Sequence, residues 1–306
     1  MNDTGAKNGA SGPTPHGPRV PLPGPNDDVR PRMAGTPGAW RYFQGEKLPA
    51  TSSVLISNSK YLNNPYYREA FATQALRRHG DDLPPTYMVP LMSRAIEEVE
   101  EPGLRERLIA EEKAKNPEFA EWLAARRLCE FTLENTKDFA PGTLGHEIYQ
   151  LLATPEMALD FSFAPKIEPL DDMEYMSMRF RIVHDLQHIV TGFGPNTAGE
   201  NALSMANITS IARYFTPELA QLLTHGDMWI AATGLYRTAL HYHHVMPTYL
   251  DAIQQGIRVG MQIKRPLFMT LWEDILDVKL EDIAAQMGFE RGPGDAWKWT
   301  TDAATG

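Results

Sequence analysis

The stretch DDMEYMSMRFRIVHDLQHIVTGFGPNTAGE, residues 171–200, decides the fold. Asp171 stands where the N-cap of a helix belongs, and the apolar pattern behind it predicts a helix that runs to about Val190. The glycines and the proline in 192–195 end this helix, and Asn196 or Thr197 can cap the next one. A turn of this kind reverses the chain, so the end of the first helix faces the start of the second.

Helical patterns continue on both sides of this pair. Period-two strands and the two-residue turns of hairpins are scarce, which predicts an all-α fold. Further helices are expected over about 65–78, 83–99, 106–131, 144–152, 217 onward, again after Thr224, and 280–287.

The N-terminal segment has a different composition. Up to about Trp40 it is dominated by Gly, Pro, Asn and Asp, which bury too little apolar surface to offset the entropy of ordering. We therefore expect a disordered tail over residues 1–48, followed by a single multi-helix domain over 49–306.

Charge and composition exclude several classes of protein. A formal net charge of −10 argues against a general nucleic-acid binder. The lone Cys129 excludes an internal disulfide and a thiolate cluster. No stretch reaches the roughly 18 apolar residues of a membrane span, and the N-terminus lacks the apolar core of a signal peptide. The expected location is cytoplasmic.

The histidines of the first helix suggest a metal site. His184 and His188 are four residues apart, so their imidazoles lie on one helical face. The turn that follows can bring Glu200 back towards them as a third ligand. Histidine and carboxylate ligands suit zinc foremost and other divalent ions as well. The sequence thus predicts one divalent ion bound by His184, Asp185, His188 and Glu200, although an ordinary ion pair would use the same residue types.

The sequence leaves more than one role open for the other polar residues of this helix. Asp185 points about 100° away from His184 on an ideal helix, so it is a ligand, an orienting group or a catalytic base. Arg179 and Arg181 are candidates for binding a substrate carboxylate or phosphate, and surface salt bridges explain them as well.

A second histidine cluster, His241, His243 and His244, has no acid near it in sequence and fits a polar helix face better than a metal site. Methionines interleaved with apolar residues could line a tunnel for a lipid tail, but ordinary core packing explains them too.

These residues resemble the ubiquinone (coenzyme Q) biosynthesis protein 4 family, whose signature is H-D-x-x-H followed by eleven residues and a glutamate. His184, Asp185, His188 and Glu200 have that spacing. The similarity extends over most of the chain from about Leu62, and it departs where the family is expected to have a lysine and a glutamate, at Ser204 and Asn207. Segments that share it include 141–145, 175–181, 252–256 and 264–273.

The resemblance implies a mostly helical protein on the surface of the inner membrane. It implies metal-dependent oxidative decarboxylation, in which the carboxylate at ring carbon 1 of a prenylated 4-hydroxybenzoate-derived precursor is lost and that carbon is hydroxylated. The implied partners are a polyprenylated ring precursor, a membrane surface and other ubiquinone biosynthesis proteins, and a homodimer is left open. The alternative is a non-catalytic scaffold that binds prenylated intermediates and organises the biosynthetic enzymes, and a metal hydrolase is a weaker third possibility.

Overall fold

The structure, a computed structural model, describes residues 59–77, 89–128, 130–154 and 170–297. Within these ranges the chain is helical and contains no strand, apart from one isolated antiparallel bridge between Thr143 and Lys279. The all-α prediction is confirmed. The α-helices, in chain order, are α1 Lys60–Asn63, α2 Pro65–Leu76, α3 Val89–Glu97, α4 Leu104–Lys115, α5 Pro117–Ala125, α6 Leu133–Thr136, α7 Leu144–Ala153, α8 Asp172–Thr191, α9 Thr197–Tyr214, α10 Pro217–His241, α11 Met246–Gln262 and α12 Leu280–Met287.

The ends of the helices follow their capping residues. At the start of α8, Asp171 and Glu174 form a reciprocal capping box that satisfies two backbone N–H groups. The expected helical region 106–131 divides at Asn116, which caps α5 and precedes Pro117. The expected second helix after Thr224 does not start there, since α10 continues unbroken to His241.

Helix α8 lies in the middle of the main core. Its apolar side chains are fully buried and include Tyr175, Val183 and Leu186. Helix α9 packs closely on α11, because an ideal Cβ at Gly256 would lie 2.1 Å from the carbonyl oxygen of Ala202. Only glycine permits this approach. This contact fixes α9, which carries Glu200, relative to α11.

A smaller cluster attaches α2 and α3 to α10. The hydroxyl of Tyr67 lies 2.7 Å from Nε2 of His225, and the indole N–H of Trp229 donates to Gln74 over 2.6 Å. These two polar contacts are buried among apolar side chains, so they set the register of α2 on α10.

The N-terminal tail expected over 1–48 lies outside the described residues. Among the helices that the structure does describe, none has the combination of length and apolar character that crossing a membrane requires.

Candidate metal centre

His184 and His188 point to the same place from successive turns of α8. Their Nε2 atoms are 3.2 Å apart and their rings are nearly perpendicular, at 86°. The side chain of His188 is only 6% exposed, whereas that of His184 is 45% exposed. The pair is therefore anchored in the protein on one side and reachable from solvent on the other.

The turn after α8 fixes the tautomer of His188. Its Nδ1 atom lies 2.7 Å from the carbonyl oxygen of Phe193. A carbonyl can only accept, so Nδ1 carries the hydrogen and the neutral ring keeps a lone pair on Nε2. Gly192 makes this turn possible, since it closes α8 with φ of 70°, which favours glycine.

Glu200 reaches the histidine pair from the first turn of α9. Its Oε2 is 3.6 Å from Nε2 of His184, and its Oε1 is 3.4 Å from Nε2 of His188. The start of α9 is positioned by a close contact at Gly199, where an ideal Cβ would lie 1.8 Å from the carbonyl oxygen of Gly194. Helix spacing and the 192–199 turn thus produce the convergence that the sequence predicted.

The separations fit one small cation. Among the described residues, His184, His188 and Glu200 are the group whose ligand atoms converge, all within 4.8 Å of one another. A tetrahedral ion with bonds of about 2.0–2.1 Å sets its ligand atoms about 3.3–3.4 Å apart. The observed 3.2, 3.4 and 3.6 Å lie close to that value.

The electrostatics of the cluster favour a positive charge at its centre. Burial by itself would lower the pKa of His184, but the Glu200 carboxylate outweighs it and raises this pKa to about 9. Burial likewise works to raise the pKa of Glu200, but hydrogen bonds from His184 and His188 hold it far below its usual range. A bound cation would replace the proton that is held between His184 and Glu200.

Asp185 lies beside the cluster and is not part of it. Its side chain and that of His188 line a largely apolar cavity of about 250 Å³, together with Leu151, Ile189 and Phe193. Burial raises the pKa of Asp185, and the negative charge of Glu200 adds to the effect, although both histidines oppose it. Three of the four expected ligands are brought together, and the fourth faces a cavity instead.

Comparison with known proteins agrees with this architecture. The profile of the family described as Coenzyme Q (ubiquinone) biosynthesis protein Coq4 matches residues 126–293, more than half of the 306-residue chain. The chain belongs to the Coq4 family. The match covers α6 to α12 and therefore all residues of the centre. The resemblance to this family, based on the H-D-x-x-H signature, is confirmed.

A solved structure shows the same fold. It is that of a proposed ubiquinone biosynthesis protein from Nostoc punctiforme, which is 24% identical, with a TM-score of 0.54 over 76% of this chain and 99% of the other. No curated protein sequence matches.

Arg179 does not face the centre of this Coq4-family protein. It is completely buried, and its guanidinium donates to the carbonyl oxygens of Arg127, Phe268 and Thr270 and to the carboxylate of Glu273. These contacts use its donors to tie α8 to the segment after α11. These contacts give Arg179 a structural role, and its substrate-binding role stays a prediction.

Two further predicted groups lie apart from the centre. Arg181 is exposed and its Nε donates to the carbonyl of Ser177 on its own helix. His241 shares a 2.7 Å hydrogen bond with the carbonyl oxygen of Leu76, at the end of α2. The cluster of His241, His243 and His244 is not among the described groups that could hold a metal.

Sequence reasoning missed Asp227. This residue lies in the middle of α10, is partly buried, and interacts electrostatically with His184 and Glu200. Burial raises its pKa to about 7, although His184 and Ser204 oppose the shift. Its signal in the sequence is a lone acid inside the otherwise uncharged stretch 219–236.

Proposed function

We propose that this protein is a metal-dependent enzyme of ubiquinone biosynthesis, the pathway of its family, and that it acts on the aromatic head group of a prenylated precursor. The observation that supports this proposal is the convergence of His184, His188 and Glu200 next to an apolar cavity that contains Asp185. The reaction is loss of the carboxylate at ring carbon 1 and hydroxylation of the same carbon.

The three side chains would hold one divalent ion, with zinc as the first choice and other divalent metals open. Such an ion would act as a Lewis acid that stabilises negative charge on a phenolate or carboxylate oxygen of the substrate. The residues of the protein hold the ligands of this ion in position. His188 is fixed by Phe193, and Glu200 by the start of α9, so the ligand set is organised before substrate arrives.

The cavity beside Asp185 suits the ring. At about 250 Å³ it is smaller than the roughly 300–1,000 Å³ of pockets for drug-sized ligands, so it accommodates a head group and not a long tail as well. Largely apolar walls would pack against the ring, and the Asp185 carboxyl lines the same cavity as the group that accepts or returns a proton. With its pKa raised by burial, Asp185 is a stronger base than an exposed aspartate.

The overall reaction needs an oxidant and a reductant. Dioxygen supplies the hydroxyl oxygen, and the carboxylate leaves as carbon dioxide, while an external donor such as a reduced nicotinamide supplies two electrons. Of the three protons consumed, two enter the water formed from the second oxygen atom and one enters the new hydroxyl group. The partly buried carboxyl of Asp185 would move one of these protons.

The number of ligands favours an enzyme over a scaffold. A structural zinc site is closed by four protein ligands, whereas a catalytic site has three and keeps a position open for water or substrate. Within the described ranges three side chains converge, and the side chain of His184 is 45% exposed.

The outer face of α10 supports binding to a membrane surface. Met228, Leu235, Tyr236 and Leu240 on this face are between 36 and 54% exposed. Ala232 and Ala239 complete the stripe at helical spacing, and it includes no charged residue. The stripe begins directly after Asp227, which interacts electrostatically with His184, so a bilayer bound there would lie near the site where a prenylated substrate is needed.

This membrane contact is tested by flotation with liposomes of anionic and neutral phospholipid. Leu240→Glu should reduce co-flotation, because it places a charge in the apolar face. Leu133→Glu is the matched control, since Leu133 on α6 is 48% exposed and Leu240 is 49% exposed. Equal flotation of both variants and the wild type would exclude α10 as the contact.

The chemistry is tested with a ring-labelled prenylated substrate, under oxygen and with a reductant, by following carboxylate loss and oxygen incorporation. Glu200→Ala and Asp185→Ala should both abolish turnover, but only Glu200→Ala should also remove the metal. If the wild type binds the lipid tightly and never converts it, while both variants still support quinone production in cells, the scaffold function replaces the enzymatic one.

A further inference from the structure

The segment 291–297, which follows α12, lies along the end of α8. The backbone N–H of Gly292 donates to the carbonyl oxygen of Thr191 over 2.7 Å, and the guanidinium of Arg291 donates to the two carbonyls before it. Carbonyl groups in the last turn of a helix have no partner within the helix. The segment supplies these partners, so it is bonded to the part of α8 that carries His188.

The same segment contacts the ring of Phe193, whose carbonyl oxygen accepts the Nδ1–H of His188. The ring is fully buried and stacks on the indole of Trp297, with centroids 5.7 Å apart and 26° between the planes. It also meets Gly292, where an ideal Cβ would lie 2.5 Å from the ring. Trp297 is itself only 3% exposed. Two parts of the segment therefore pack against the residue that fixes the imidazole of His188.

The position of Phe193 matters to the centre because a hydrogen bond weakens steeply as its distance and angle change. Nε2 of His188 lies 3.2 Å from Nε2 of His184 and 3.4 Å from Oε1 of Glu200. A rotated ring, or the other tautomer, would remove the lone pair of this atom from that position. Loss of a partner that orients a metal ligand in this way typically weakens metal binding by about 10- to 100-fold.

We infer that Trp297 is a positioning residue for His188, because it holds the ring of Phe193 and thereby the carbonyl that orients the imidazole. The segment that carries Trp297 also forms part of the wall of the cavity that Asp185 lines. The family match ends at residue 293, so this support comes from beyond the matched part of the chain. The inference rests on the proposed metal binding and adds a contribution from the segment after α12 to a centre built on α8 and α9.

The test uses the full-length protein and Zn²⁺ alone, with affinity measured by competition against a chromophoric chelator. Trp297→Leu removes the stacked ring and should weaken Zn²⁺ binding about 10-fold, the lower end of the usual range, because Trp297 acts through Phe193. Trp297→Phe keeps an aromatic ring there and should weaken binding less. Trp229→Leu is the control, since it removes an indole that is 2% exposed from the smaller cluster between α2, α3 and α10. This control should lower the melting temperature and leave the affinity unchanged.

A second measurement separates positioning from a contribution to stability alone. In protein labelled with ¹⁵N-histidine, the Nδ1–H proton of His188 should be protected from exchange with water, with or without zinc, and Trp297→Leu should make it exchange faster. If Trp297 only fills the core, the bond from the Phe193 N–H to the Thr191 hydroxyl would hold the turn without it. The variant would then lose stability but keep the wild-type affinity and the protected proton, and that result would overturn the inference.

Gly292→Ala decides the question if Trp297→Leu does not fold. Its Cβ would press on the Phe193 ring, so zinc affinity should fall and exchange at His188 should become faster. Wild-type values for both would overturn the inference. A wild type that binds no Zn²⁺ would refute the proposed function, whereas the comparison of metal-free wild type and variant would still show whether Trp297 holds His188.

Discussion

Replacing Arg179 by methionine should destabilise the protein without touching the candidate centre. The guanidinium is 0% exposed, and three backbone carbonyl oxygens and Glu273 accept its hydrogen bonds. Methionine fills the space of the aliphatic stem but supplies no donor. Each of the three carbonyls would lose this donor, although Tyr175 still donates to the carbonyl of Arg127 and the backbone N–H of Trp272 to that of Thr270. Glu273 would lose one of its two cations.

The size of the effect follows from these contacts. Removing one partner of a buried ion pair costs about 3–5 kcal/mol. Glu273 keeps Arg127, whose Nε lies 3.3 Å from its other carboxylate oxygen, so the lower half of that range applies. A loss of about 3–4 kcal/mol lowers the melting temperature of a domain of this size by about 10 °C.

The assay is thermal and urea unfolding of Arg179→Met beside Arg181→Met. The second variant removes an exposed arginine two residues further along α8, whose Nε bonds only within its own helix, so it should change stability by less than about 0.5 kcal/mol. An Arg179→Met protein with the melting temperature of the wild type, but without affinity for a carboxylated substrate, would refute the structural role and restore the substrate-binding one.

Three other predictions follow from the site and its supports. His188→Ala should reduce bound zinc from about one ion per chain, because the ligand best fixed by its surroundings is lost; elemental analysis showing equal content would contradict the metal site. Gly199→Ala should weaken zinc binding, because its Cβ would collide with the Gly194 carbonyl and shift Glu200, which chelator competition measures. The third prediction concerns pH. Burial lowers the pKa of His225, so the unfolded chain binds this proton more readily; stability should be full above the ordinary pKa of about 6.5 and fall below it. Urea titrations of the wild type and His225→Gln should show a smaller acid loss in the variant.

The sequence predicted the convergence of His184, His188 and Glu200 because its cause is local. A spacing of four residues puts His184 and His188 on one face, and the turn 192–199 returns Glu200 to them. Capping gave the start of α8 in the same way, through Asp171. Features of this kind depend on residues at most 16 positions apart, so the local sequence contains them.

The roles that the sequence left open depend on partners that are distant along the chain. Whether Arg179 faces a substrate or the backbone depends on the carbonyls at 268 and 270, about ninety residues later. The role of Asp185 depends on a cavity whose walls come from α7, α8 and the turn after it. Neither arrangement leaves a spacing in the sequence that distinguishes it from its alternatives.

The two departures from the family pattern show how a distant helix can change a site. Asn207 donates to the side chain of Gln187 over 3.2 Å, so it links α9 to α8 inside the core. Ser204 is also buried and lies one helical turn after Glu200, on the same face of α9. Where a charged pair is expected on α9, this chain therefore has two neutral side chains inside the protein. The charges that act on the ligands of the centre come from other helices instead, among them Asp227 of α10, which interacts electrostatically with His184 and Glu200.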